Sequence, residues 1–184
     1  MLNNKNIVVC VTGGIAVYKV VDMVSRLKKA GAQVQVAMTK GAQEFVSPIT
    51  FQAISNNRVY TKLFDETDNH EIPHIILAQK PDLIVIAPAT ANIIGKVSHG
   101  IADDLVSTII MAAKVPVLFV PAMNTAMYEN PIVQGNINFL KGHGYTFLDP
   151  EVGTMAMKAE GVGVGRLPEP PVIVEAIEEL YFSE

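Results

Sequence analysis

The sequence predicts an α/β protein: a single-domain, doubly wound, Rossmann-like parallel sheet with helices on both faces. Three observations predict it. Apolar β-branched runs of strand length alternate with segments of helical periodicity along the whole chain. Those runs are apolar at consecutive positions, as in strands covered on both faces. Gly, Pro and Asn punctuate the junctions, and no repeat or interdomain linker interrupts them, so residues 1–184 are expected to form one unit.

Ile7 to Val11 reads as the first strand and runs into Gly13-Gly14. Val17, Val20, Val21, Val24 and Leu27 then fall at helical spacing, and Gly31 supplies the stop. Gln33 to Met38 makes the second strand and ends at Thr39. Phe45 to Ile54 reads as a short helical region broken by Pro48, with Asn56-Asn57 as a turn. A helix is expected from Pro73 to Gln79, with Pro in its first turn. Asp82 to Ala87 is the cleanest buried strand. Helical pattern resumes over Thr90–Ser98 and Asp103–Ala113, and residues 115–120 form another strand. A helix over Pro131–Gly142, a strand over Tyr145–Leu148, a long Gly- and Pro-rich loop over 150–170 and a helix over Val172–Leu180 complete the chain.

With 184 residues, 49% of them apolar and 17% charged, the chain can bury a substantial core. A net charge of −4 without a basic stripe, and aromatics at 7%, give no footprint for nucleic acid. The apolar runs are too short and too interrupted for a membrane span, and residues 1–6 lack the apolar stretch of a signal peptide. The single cysteine, Cys10, cannot form an internal disulfide, in line with a reducing cytoplasm.

Chemistry concentrates in four loops at strand ends, where open α/β sheets bind ligands. In Thr12-Gly13-Gly14-Ile15, paired glycines let backbone amides approach an anion at a helix start. A plain tight turn would use the same residues. The Gly-x-Gly-x-x-Gly fingerprint is absent, and Thr39 stands where a ribose-binding acid would end the second strand. That combination disfavours NAD and suits a mononucleotide phosphate. Ala87-Pro88-Ala89-Thr90-Ala91-Asn92 offers small residues beside a hydroxyl and an amide, fit for the edge of a flat ring. Pro121-Ala122-Met123-Asn124-Thr125-Ala126-Met127-Tyr128 places a second amide beside it, either as an N-cap or facing a ligand.

Gly-Gly-Ile-Ala-Val-Tyr-Lys from Gly13, Pro-Ala-Thr-Ala-Asn from Pro88 and Pro-Ala-Met-Asn-x-x-Met-Tyr from Pro121 occur in an order and spacing that resemble the homo-oligomeric flavin-containing cysteine decarboxylases. Phe45-Val46-Ser47-Pro48, Ile101 to Thr108 and Arg166-Leu167-Pro168-Glu169-Pro170 extend the likeness over nearly the whole chain. The resemblance implies FMN held by Gly13, Gly14, Ile15, Thr39, Phe45, Ala89, Thr90, Ala91 and Asn92. It implies a small thiol substrate with a carboxylate, first of all 4'-phospho-N-pantothenoylcysteine, converted to 4'-phosphopantetheine in coenzyme A biosynthesis. Asn124, with Ala122, Met123 and Met127, would hold that carboxylate. A homotrimer, or a dodecamer built from it, with FMN at a subunit interface is implied as well.

His74 opens the segment His-Ile-Ile-Leu-Ala, which matches the family's catalytic base; a lone histidine would otherwise read as a capping or solvated residue. His70, His99 and His143 match nothing catalytic and read as surface residues, and no pair of histidines has metal-site spacing. The long loop departs from the pattern. Where the coenzyme A branch of the family carries a flap cysteine as proton donor, this chain has Met155-Ala156-Met157-Lys158-Ala159-Glu160-Gly161. A thioether cannot donate a proton, and Cys10 lies inside a strand. Either Lys158 or Glu160 substitutes, or the reaction stops at the enethiol, as in the peptide-cysteine decarboxylases. A flavin-binding regulatory subunit is the non-catalytic alternative. A flavin prenyltransferase is disfavoured because Thr12-Gly13-Gly14-Ile15 replaces its usual Gly-Ala-Ser-Gly opening.

Overall fold

The computed structural model describes residues 2–64, 72–154, 156 and 161–182. Six strands form one parallel sheet: β1 (Asn6–Val11), β2 (Gln33–Met38), β3 (Val59–Tyr60), β4 (Leu83–Ala89), β5 (Val117–Pro121) and β6 (Thr146–Phe147). They lie side by side in the order β3-β2-β1-β4-β5-β6. The chain therefore winds outward one way from β1 and then the other way from β4. The crevice between these two strands, at their carboxyl ends, is the topological switch point.

Side-chain alternation along the strands fills two separate layers. Ile7, Val9 and Val11 of β1, with Leu83 and Val85 of β4, pack beneath α1 (Val17–Lys29), α3 (Pro48–Ser55) and α9 (Pro170–Tyr181). Val8 and Cys10, with Ile84 and Ile86, face the opposite layer of α4 (Pro73–Gln79), α5 (Ala91–Ser98), α6 (Leu105–Met111) and α8 (Pro131–Gly142). A strand covered on both faces gains from apolar residues at every position, which is why β4 is buried throughout. The doubly wound expectation holds.

Three local expectations change. The helical region expected over 45–54 is helical only from Pro48, as α3, and a separate short helix, α2 (Lys40–Gln43), precedes it. Thr39 caps α2 through Oγ1, which accepts the Ala42 N–H at 3.2 Å, and Pro48 starts α3 because its missing N–H costs nothing there. Residues 150–170 are not simply a loop. β7 (Glu151–Thr154) and β8 (Val162–Arg166) pair antiparallel, a hairpin whose glycines hid its strand character from a propensity reading. A four-residue helix, α7 (Thr125–Tyr128), follows Asn124. No helix among the described residues is long and apolar enough to cross a membrane.

Candidate active site at the switch point

Thr12 directly follows β1, is buried, and joins the two strands of the switch. Its hydroxyl donates to the Pro88 carbonyl at 2.5 Å and lies 3.2 Å from Thr90 Oγ1, while its oxygen accepts the Thr90 N–H at 3.3 Å. Thr90 Oγ1 in turn caps α5 by accepting the Ile93 N–H at 3.4 Å. The Gly13 turn and the Pro88–Asn92 loop thus have one fixed spacing. Across from them, a Cβ on Gly13 would stand 2.8 Å from the carbonyl carbon of Gly41. Only glycine lets the β1 and β2 loops approach this closely.

The loops enclose a cleft of about 1000 Å³, at the upper end of the roughly 300–1,000 Å³ range of small-molecule sites. Gly13, Gly14, Ile15, Thr39, Thr90, Ala91 and Asn92 line it, and so do Ala122, Met123, Asn124 and Met127. The hairpin supplies the remaining wall through Thr154, Ala156, Gly165 and Arg166. Asn124 caps a helix and also lines the cleft. Its Oδ1 caps α7, accepting the Ala126 N–H at 2.8 Å and the Met127 N–H at 3.4 Å, which leaves the amide NH₂ uncommitted to the cap. A fixed amide of this kind orients an oxygen acceptor without adding charge.

Three expected residues are placed elsewhere. Ala89 is fully buried, and it contributes its carbonyl, which accepts the Ala122 N–H at 3.2 Å and so couples the two amide-bearing loops. Phe45 lies between α2 and α3, half exposed and off the cleft lining. His74 sits at the start of α4, also off the lining, and its buried Nδ1 has no hydrogen-bond partner among the described residues. His99 and His143 are exposed, each with Nδ1 against a carbonyl of its own helix. His70, Met157, Lys158 and Glu160 lie outside the described residues.

Charged groups add what the sequence reading missed. Lys96 bridges Asp103 at 2.6 Å and Asp104 at 2.7 Å at the cleft edge. Burial opposes the Asp104 charge, but hydrogen bonds from Lys96 and the Ser107 N–H outweigh it and hold the carboxyl below its usual range. Lys19 is buried against Leu167 and Glu169. A signal for Lys19 existed: a lysine beside Val17 and Val20 breaks the apolar face of an amphipathic helix. Cys10 is fully buried below the cleft, and burial pushes its thiol far above the ordinary range. It is an inert core residue.

A family model described as Flavoprotein matches residues 1–182. The chain belongs to the flavoprotein family. It is 50% identical over 184 residues to the coenzyme A biosynthesis bifunctional protein CoaBC of Bacillus subtilis (strain 168), covering 100% of this chain and 45% of that protein. The chain thus spans less than half the length of that relative. With the probable phosphopantothenoylcysteine decarboxylase of Streptococcus mutans serotype c it shares 43% identity over 177 residues, 95% of this chain and 98% of that one. A crystal structure of the FMN-dependent cysteine decarboxylase SpaF superposes with a TM-score of 0.81 at 28% identity, covering 97% of this chain and 98% of the other. For a flavoprotein, the cleft fits its cofactor on structural grounds. The Gly13 turn tolerates no side chain against Gly41, and the exposed Asn92 lines the same cleft.

Proposed function

We propose that the chain catalyses FMN-dependent decarboxylation of 4'-phospho-N-pantothenoylcysteine to 4'-phosphopantetheine, a carboxy-lyase step of coenzyme A biosynthesis in the cytoplasm. The observation that carries this reading is one cleft at the switch point, shared by the Gly13 turn, Asn92 and Asn124. The relative with which the chain aligns almost end to end bears the name of that activity.

The Gly13–Ile15 amides and the Thr39 hydroxyl would hold the FMN phosphate, and Thr90, Ala91 and Asn92 would meet the ring edge. FMN, when bound, supplies a hydride acceptor for the carbon bearing sulfur, which makes the substrate a β-thio-oxo acid that readily loses carbon dioxide. The chain's own residues bind, orient and move protons. Asn124 directs its NH₂ to the substrate carboxylate, and its capped position on α7 fixes that direction before binding, so little ordering entropy is lost. Met123, Met127 and Ala122 give the surrounding wall an apolar character that strengthens this hydrogen bond. His74 takes the thiol proton, an imidazole nitrogen being a proton acceptor.

His74 reaches a cleft in an oligomer. Its unpartnered Nδ1 lies away from its own subunit's cleft, and Ile15 and Tyr18 at the cleft mouth are 60% and 62% exposed. A trimer, or a dodecamer built from trimers, that brings α4 of one subunit to the cleft of the next would place His74 at a cleft and cover Ile15 and Tyr18. The β7–β8 hairpin acts as the substrate flap. Its segment Met157, Lys158 and Glu160 supplies the final proton through Lys158 or Glu160, because Met157 has none to give. A turnover assay on FMN-loaded protein tests the activity. Conversion of phosphopantothenoylcysteine supports it; a flavin-bound protein that leaves the substrate intact returns the chain to a regulatory, non-catalytic reading.

A further inference from the structure

Three charges meet where β8 leaves the hairpin. Lys19 is 7% exposed, and its Nζ donates to the Leu167 carbonyl at 3.0 Å and to Glu169 Oε1 at 2.9 Å. The Nη2 of Arg166 donates to the same carboxylate oxygen. Two cations therefore share one carboxylate, which leaves a surplus positive charge at the cleft wall. The buried ammonium needs Glu169 more than the guanidinium does, because an unpaired buried charge is the costlier one. Lys19, and after it Arg166, holds the Glu169 carboxyl below its usual range, so that carboxylate stays ionised.

The surplus sits on Arg166. A guanidinium has five N–H donors, and among the described residues only an Nη2 bond to Glu169 engages them. Arg166 lines the cleft, and the strand opposite carries Gly153, where a Cβ would stand 3.1 Å from Nη1. The glycine keeps the lane open along which the side chain lies. The other cleft cations stand elsewhere on its wall. Lys96 is held by Asp103 and Asp104, and Lys40 stands on the wall of Thr39 and Gly41 beside the Gly13 turn.

We propose that Arg166 is the specificity residue for the phosphate monoester end of the substrate, an inference that rests on the proposed decarboxylase activity. The carboxylate of that substrate is met by the neutral Asn124 amide, so its phosphate, carrying roughly −1.5 to −2 charges near neutral pH, is the anion left to pair. A fork of parallel N–H donors suits such a group better than an ammonium does. Lys19 acts through Arg166 as a positioning residue: by neutralising Glu169 it keeps the guanidinium available.

The test compares phosphopantothenoylcysteine with pantothenoylcysteine, the same molecule without phosphate, on the FMN-loaded protein. Arg166→Gln is expected to raise KM for the phosphorylated substrate roughly ten- to a hundredfold and KM for the other less than about twofold, with FMN affinity unchanged. Arg166→Lys should fall between wild type and Gln, and it carries the test if the Gln variant fails to fold. Both substrates meet the same sample, so a loss of folded protein lowers both rates and leaves the KM ratio intact. Equal changes in both KM values, or none, would overturn the inference. A parallel loss of FMN affinity would overturn it too, by placing the guanidinium at the flavin phosphate. A wild type inert toward both substrates sinks the decarboxylase reading itself, and this inference with it.

Discussion

The Met123 N–H donates to the Gly165 carbonyl at 3.0 Å, tying the loop that carries Asn124 to strand β8 of the hairpin. The approach is so close that a Cβ on Gly165 would lie 2.2 Å from the Met123 carbonyl oxygen, and the glycine itself has φ +128°. Two residues earlier on the same strand, a Cβ on Gly163 would lie 2.2 Å from Thr125 Oγ1. Hairpin and Asn124 loop are therefore one mechanical unit. Gly165→Ala should cost about 1–3 kcal/mol of stability and lower kcat at least tenfold, because the backbone must retreat and take Asn124 with it. Thermal unfolding and steady-state kinetics check this; wild-type kcat would separate the hairpin from the site.

Gly13→Ala addresses the cofactor side. The added methyl meets backbone atoms of Gly41, which cannot rotate away as a side chain could. FMN should dissociate at least tenfold more readily while far-UV circular dichroism stays native, since the turn lies at the end of β1 and outside the packed layers. Fluorescence of released flavin measures it.

For the reaction itself, the role proposed for His74, acting on the substrate thiol and not on the flavin, predicts that His74→Asn abolishes turnover and leaves the bound-flavin spectrum unaltered. Asn124→Asp should also be inactive, a carboxylate facing the substrate carboxylate being repulsive. Near-normal turnover by either variant would remove that residue from the site.

Asp104 predicts a pH signature. Its folded-state carboxyl lies below the ordinary range, so the stabilisation is present above the unfolded value of roughly 3.9 and is lost as pH falls through the folded one. Asn caps a helix about as well as Asp, so Asp104→Asn isolates the charge. The variant should lose about 1 kcal/mol near pH 7, discounted for partial exposure, and the gap should close below about pH 4. A pH-independent gap would contradict the ion pairing with Lys96.

Much of this was legible in the sequence because the physics is local. Consecutive apolar residues in Leu83–Ile86 announce a strand covered on both faces, and paired glycines after Val11 announce a close approach. Eleven of the expected site residues, from Gly13 to Met127, line one cleft because all follow strands whose carboxyl ends share an edge. What stayed hidden depends on long-range contacts. Lys19 and Glu169 are 150 positions apart, and nothing local to either signals the other. The hairpin was concealed by glycines whose purpose is to dock on Met123 and Thr125, a tertiary demand that overrides strand propensity. The short α7 was concealed because four residues are too few to show a period.

The most direct measurement is the mass of the product formed from phosphopantothenoylcysteine by the purified, FMN-loaded protein. The account predicts a single product lighter than the substrate by one carbon dioxide, the saturated thiol 4'-phosphopantetheine. A product lighter by two further hydrogens would mean that the flap delivers no proton and the chain is an oxidative decarboxylase, and a substrate recovered unchanged would contradict the decarboxylase assignment outright.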